Sequence, residues 1–313
     1  MSSLVVESPG LLTSVQDLGR PGFGALGVSP SGAADPVALR LGNLLVGNKP
    51  GAAALEMTLL GGRFVFPEGA TIALTGADLG ASVDGRGLEM WTPQTIAPGG
   101  KLLCGSTRNF ARGYLIVAGG IRVTGFLGSA STHLLSGLGG FKGRSLRKGD
   151  TLRLGTPAKN LPNRRVSDWA LATLMPGRTL RVTEGPQIDS LSEQNKKTFF
   201  SSTFSVSESS DRMGIRLVGE GLPSGAYGEM ITEGVPLGAI QITPSGQLII
   251  LFMEQQTTGG YPKVANVIAA DLHRLGQLRP RTEIRFQRTS LDEARSLWIE
   301  QEKLLGSPAR LFE

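Results

Sequence analysis

Ala239-Ile-Gln-Ile-Thr243, Pro244-Ser245-Gly246 and Gln247-Leu-Ile-Ile-Leu-Phe252 follow one another without a gap. Two apolar, β-branched runs joined by a Pro/Ser/Gly break read as strands and a turn: branched side chains pack well on a pleated surface, and those three residues supply turn chemistry. The same grammar recurs outward along the chain. Strand-like runs are expected at 62–66, 71–75, 101–103, 114–118, 151–154, 179–183, 214–218 and 283–287, most of them bounded by Gly, Pro, Asp or Ser. The 44 glycines among 313 residues are about twice the usual share, with no collagen-like period, so they serve turns, bulges and close backbone approaches. Many short strands joined by such turns predict a mainly β protein with a few helices, built as a barrel or sandwich.

Three helices are expected. Asp35 is a good N-cap and Pro36 suits the first helical position, which starts a helix over 35–46. Val264, Val267, Ile268 and Leu272 fit one face of a second, over 262–275. Ser290-x-x-Glu293 has capping-box spacing and opens a third, over 290–305. Two stretches repeat weakly. Asp17-Leu-Gly-Arg20 with Pro30-Ser-Gly32 resembles Asp211-Arg-Met-Gly214 with Pro244-Ser-Gly246, and Leu146–Leu154 resembles Leu278–Phe286. That implies two related barrels, 1–155 and 179–313, the second with a terminal helix. Between them lies a linker, 156–178, whose Pro-rich and basic start (156–165) has linker composition.

Several function classes fall away. Cys104 is the single cysteine, which rules out an internal disulfide or cysteine cluster. His133 and His273 lack neighbours at metal spacing, so no metal is expected. There is no Walker-type loop, nucleophile elbow or dinucleotide fingerprint, so this chain alone is expected to bind neither ATP nor another cofactor. Ten basic residues against two acids between Lys142 and Arg181 carry a single aromatic, Trp169, and no pattern of interleaved aromatics. A solvated surface is favoured over nucleic acid. No membrane partner is expected, since no apolar run reaches about 18 residues. With no signal-peptide pattern, the expected location is the cytoplasm.

Three segments look chemical. Gln16-Asp17-Leu18-Gly19-Arg20, continuing to Ser31-Gly32, sets polar groups among glycines before a helix start; its bland reading is a sharp loop in which Asp17 and Arg20 pair. Thr75-Gly-Ala-Asp78 ends a strand with a carboxylate that serves as a base or satisfies its own turn. Glu254-Gln-Gln-Thr-Thr-Gly-Gly-Tyr-Pro-Lys263 is too polar for a core and too long for a minimal turn, and a helix beginning at Pro262 would aim its N-terminus at this loop.

These segments, in order with Ser210–Gly214 and Glu233-Gly-Val-Pro-Leu-Gly-Ala-Ile-Gln241, resemble the biotin-dependent carboxyltransferase-like family. It includes the C-type subunits of 5-oxoprolinase, the KipA-type regulators, "allophanate hydrolase subunit 2" and part of the carboxyltransferase region of urea carboxylase. The resemblance runs from about Leu4 to Phe286 and is most specific in Gln256–Lys263. It implies two cyclophilin-like β-barrel domains and partnership with the B-type (KipI-like) and A-type subunits of 5-oxoprolinase. The implied reaction is ATP-dependent ring opening of 5-oxo-L-proline to L-glutamate, with ATP used by the complex. Two other functions are compatible. One is carboxyl transfer from carboxybiotin, with biotin supplied on another protein because no Met-Lys-Met acceptor is present. The other is a KipA-type regulator that binds a KipI-like kinase inhibitor. On this reading Lys263, Tyr261, Asp17, Asp78 and Asp211 are the catalytic candidates. Gln16, Arg20, Ser31, Gln241, Gln256, Thr257, Thr258 and Gly260 are the substrate-binding candidates. One position departs: the family usually carries Asp where Glu254 stands.

Overall fold

In a computed structural model, which describes residues 2–175, 177–219, 222 and 230–313, every expected strand forms with its ends shifted by at most two residues. The expected pair at 239–252 is a hairpin, Ala239–Ile242 with Leu248–Leu251, and Gly246 N–H closes its turn on the Thr243 carbonyl at 2.8 Å. The chain divides into two compact units: Met1–Arg20 with Ser31–Met175 and Leu304–Glu313, and Pro21–Pro30 with Pro176–Lys303.

Among the described residues, the first unit holds two sheets. The seven-stranded one runs in the order Ile121–Arg122, Thr151–Leu154, Ser3–Ser8, Arg63–Phe66, Gly100–Leu103, Ser82–Val83, Arg86–Gly87. The five-stranded one runs Leu12–Gln16, Ala54–Thr58, Arg112–Val117, Ala70–Gly76, Pro93–Ile96. Side chains alternate across a strand, and the packing follows. Leu55, Met57, Ile72, Leu74, Leu115 and Val117 join the core with Leu4, Val6, Phe64 and Phe66. Their neighbours Ala54, Ala73, Tyr114 and Ile116 face the other way, onto the helix Pro36–Leu45. That helix starts as expected, the Asp35 carboxylate accepting from Ala38 N–H at 2.9 Å. Leu304, Leu305 and Leu311 pack into this second cluster, and Arg165 and Glu313 exchange backbone bonds of 2.8 and 3.0 Å. Apolar burial thus places the C-terminal segment with the first unit. Within the stretch expected as a linker, Asp168–Leu174 is a helix capped by Ser167.

The second unit is a closed barrel in the order Thr179–Glu184, Lys263–Val267, Ala239–Ile242, Leu248–Leu251, Gly214–Val218, Phe204–Val206, Glu283–Arg288. A small ribbon, Glu233–Gly234 with Thr258–Gly259, accompanies it. The helix expected over 262–275 is not there. Lys263–Val267 is a barrel strand, and only Leu272–Leu275 is α-helical after a 3₁₀ turn at Ala269–Asp271. Short apolar runs fit both periods, and here the strand wins because both neighbouring strands pair with it. The helix Leu291–Leu305 forms as expected, Glu293 N–H donating to Ser290 Oγ at 3.1 Å. The helix Glu193–Ser201, capped by Ser192, was not expected.

The closing repeat is physical. Gly149 N–H donates to the Val6 carbonyl, and Val6 N–H to the Asp150 carbonyl, at 2.8 and 2.9 Å. Arg281 and Thr282 do the same with Val206 at 2.7 and 2.9 Å. Gly149 and the matching Arg281 both hold positive φ, 87° and 67°. The Pro-Ser-Gly match is not of this kind, because Pro244–Gly246 turns a hairpin whereas Pro30–Gly32 leads into a helix.

Candidate functional site

In the second unit, polar side chains converge where a bulge changes the pairing of two barrel strands. Ile240 lies opposite Ala265, but Gln241 lies opposite Lys263, so the irregularity falls at Val264. Without that extra residue Lys263 would face the other side of the sheet. With it, Lys263 and Gln241 share the face that also carries Ala239, Ile249 and Leu251, covered by Val235. Lys263 is 5% exposed and Gln241 2%. Lys263 Nζ donates to Glu233 Oε1, which also accepts from Gln187 Nε2 at 2.9 Å. Gln187 Oε1 in turn accepts from Lys263 N–H at 3.0 Å. The ammonium holds the Glu233 carboxyl below its ordinary range. The ion pair is therefore complete at neutral pH and is lost as pH falls through that lowered value. Gln241 Nε2 is a buried donor with no partner among the described residues.

The loop that follows the hairpin closes over this group. Val235 accepts from Gln255 Nε2 at 3.1 Å and donates to the Thr257 carbonyl at 3.1 Å. Thr258 and Gly259 pair with Gly234 and Glu233, so the ribbon brings the Glu233 carboxylate to the candidate loop. A Cβ on Gly259 would overlap Gln256 Nε2 and meet Gln241 Nε2 at 3.7 Å, which places both amides beside its backbone. Gly260 lies near the Met230 carbonyl. Tyr261 is 42% exposed and holds φ 94°, a region L-residues rarely adopt. Strain of this kind persists only where the surroundings impose it, and it gathers at ligand sites. Gly185 is required on the far side, since a Cβ there would overlap the Lys263 carbonyl oxygen. Gly185→Ala is expected to lower unfolding free energy by about 1–3 kcal/mol, the usual cost of overpacking. Urea denaturation checks this, and an unchanged midpoint would contradict the close approach.

Asp211 and Glu254 serve local order. The Asp211 carboxylate accepts from Met213 and Gly214 N–H at 2.8 and 3.1 Å, anchoring its turn. Glu254 is 3% exposed and meets Arg212 Nε at 2.5 Å.

The first unit gathers the other candidates. Asp17 accepts from Gly19 N–H at 2.7 Å and, each at 2.6 Å, from Ser129 Oγ, Ser131 Oγ and Ala130 N–H. Four donors on one carboxylate fix the loop across from it. Arg20, 2% exposed, does not pair with Asp17: it donates to the Phe126 and Ser131 carbonyls and lies over the Phe126 ring. Gln16 donates to Ser14 Oγ at 2.9 Å and the Thr132 carbonyl at 3.2 Å. Gln16 Oε1 and Ser31 Oγ are buried without a partner among the described residues. Asp78 closes a turn on Gly80 N–H at 2.7 Å and meets Arg108 at 3.3 Å on the surface.

Sequence reasoning did not single out Glu233, Gln187 or Arg212, although Glu233 and Arg212 stand inside quoted strings. Nor did it find the buried group at the start of the helix Pro36–Leu45. There Glu56 accepts from Ala34 N–H at 2.8 Å and Tyr114 OH at 2.7 Å, while Tyr114 OH accepts from Asp35 N–H. Burial and the Glu56 charge push the Tyr114 phenol well above its ordinary range, so it stays neutral. Cys104 is buried and its thiol is pushed up to about 12, which makes it an inert core residue.

The arrangement sets a buried ammonium, paired with Glu233, beside a buried amide N–H and exposed amide and hydroxyl groups on one loop, a donor set suited to an anion. A family model, "Carboxyltransferase domain, subdomain A and B", matches residues 26–288. The chain is 37% identical over 291 residues to a protein named as the C subunit of 5-oxoprolinase from Escherichia coli K12, covering 93% of each. It is 33% identical over 300 residues to one of the same name from Haemophilus influenzae, covering 96% of each. Among solved structures it is similar to the Kluyveromyces lactis urea carboxylase, with TM-score 0.89 and 32% identity over 99% of this chain and 30% of that one.

Proposed function

The chain belongs to the carboxyltransferase family of subdomains A and B, and from that premise we propose that it is the C-type subunit of a 5-oxoprolinase. With the A-type and B-type subunits it opens 5-oxo-L-proline to L-glutamate at the expense of ATP. The observation that carries this reading is likeness over whole chains: both bacterial relatives bear that name and match end to end, at 93% and 96% of their own lengths. A lactam carbonyl is a poor electrophile, so ATP must activate it before water attacks. This chain's part is electrostatic and positional. Lys263 neutralises the anionic group of the substrate or the charge that develops on ring opening. Gln241 Nε2 donates to the same group. Gln256, Thr257, Thr258 and Tyr261 hydrogen-bond the substrate, and Gly260 admits it close to the backbone. Glu233 and Gln187 hold Lys263 in place. In the first unit, Gln16, Arg20 and Ser31 are proposed ligand contacts, while Asp17 and Asp78, like Asp211, anchor loops.

A second reading rests on the urea carboxylase likeness: a carboxyltransferase component that takes a carboxyl group from biotin carried on another protein. Lys263 and Gln241 suit the carboxylate of such a group equally well, and would hold and orient it.

The test is ATP-dependent glutamate formation from 5-oxoproline in lysate of the source organism with the gene deleted. Loss of activity, restored by adding the chain back, is expected. Unchanged activity would remove the oxoprolinase reading.

A further inference from the structure

A cleft of about 700 Å³ in the first unit opens at the sheet edge formed by Ile121–Arg122. Arg122, Lys142 and Arg153 line it together with Phe126 and Phe141, and no carboxylate does. Arg122 and Arg153 stand directly opposite each other across two antiparallel strands. Opposed positions bring Cβ atoms to about 4.5–5.5 Å, and like charges there repel. None of the three cations is ion-paired among the described residues; Lys142 Nζ lies 5.2 Å from the Phe141 ring centre. The carboxylates nearby bond to other groups, though Asp150 also feels the Lys142 charge. Asp150 takes Arg144 at 2.7 and 2.9 Å, and Glu68 accepts from Ser3 N–H at 3.0 Å. Lys142 also holds φ 58°, an uncommon backbone for a residue with a side chain.

Two guanidinium groups at this spacing can share one tetrahedral or planar anion, each with a forked pair of N–H donors. The volume lies within the roughly 300–1,000 Å³ of small-molecule sites, and two aromatic rings offer an apolar wall to a carbon skeleton. We propose that this cleft binds a small polyanion, a phosphate ester or a tricarboxylate. Arg122 and Arg153 share one anionic group and Lys142 meets another. The cleft's three cations are not among the residues assigned to ring opening, although Arg20, which is, lies behind its wall over the Phe126 ring. The cleft accounts for part of the basic run from Lys142 onward, which that function leaves unused.

Calorimetric titration of the full chain with pyrophosphate and with citrate at low salt tests this. At least one anion is expected to bind with submillimolar Kd, and R122Q/R153Q is expected to weaken it tenfold or more. Both arginines are exposed, so the melting temperature of that variant should match wild type. Tighter pyrophosphate binding assigns the phosphate class; tighter citrate binding assigns the tricarboxylate class. R86Q, an exposed arginine elsewhere in the same sheet, should bind as wild type does. The proposal is overturned if neither anion binds, if R122Q/R153Q binds as tightly as wild type, or if R86Q weakens binding as much.

Discussion

Lys263→Ala is expected to lower glutamate formation by the assembled complex about 10²-fold or more. Lys263 is the buried cation of the candidate site, and removing a preorganised charge that meets developing negative charge costs on that order. The effect should lie in electrostatics and not in folding. Lys263→Met keeps most of the stem that packs on the barrel, so it should fold like wild type yet remain as slow as the alanine variant. The ionic partner, Glu233, is 44% exposed at its side chain. Its loss from the pair therefore leaves no deeply buried carboxylate behind. Turnover like wild type in Lys263→Ala would end the assignment.

The second large effect is on stability. Arg212→Met is expected to destabilise the second unit by about 3–5 kcal/mol, because it removes the guanidinium beside a carboxylate that is 3% exposed. Arg212→Met with Glu254→Leu should recover most of that loss, since two apolar groups of similar volume no longer bury a charge. Denaturant unfolding of the two variants measures both values. An Arg212→Met midpoint equal to wild type would show that the pair contributes nothing. An Asp at this position would need a different approach to Arg212, because one methylene of Glu254 supplies the reach to its 2.5 Å contact.

The strands were legible because their signal is local. Thr151–Leu154 and Gly214–Val218 carry alternation and turn residues in the sequence itself, and both form over the expected residues. Helix starts marked by a capping side chain were legible too, at Asp35 and Ser290. Lys263–Val267 was misread because its apolar spacing fits a helix, whereas its fate is decided by two strands far away in sequence. That misreading also misplaced the source of positive potential. Lys263 stands on a barrel strand, so the positive charge beside the loop is its own ammonium and not a helix end. The candidate loop was visible as an unusual run of polar residues. Its link to Gln241 was not, because that link depends on one bulged residue at Val264. The partners Glu233 and Gln187 were hidden for the same reason: each meets Lys263 only through tertiary pairing. Asp17 and Asp78 looked chemical from their glycine neighbours, and Asp211 from the resemblance. In the fold those glycine-rich turns offer backbone N–H groups that occupy the carboxylates.

The most direct test of the proposed role is glutamate formation from 5-oxoproline and ATP by this chain combined with the purified A-type and B-type partners, in the presence of excess avidin. The expected result is turnover that requires the chain and is indifferent to avidin. Equal turnover with the chain omitted, or its loss on adding avidin, would contradict the assignment, the latter in favour of carboxyl transfer from biotin.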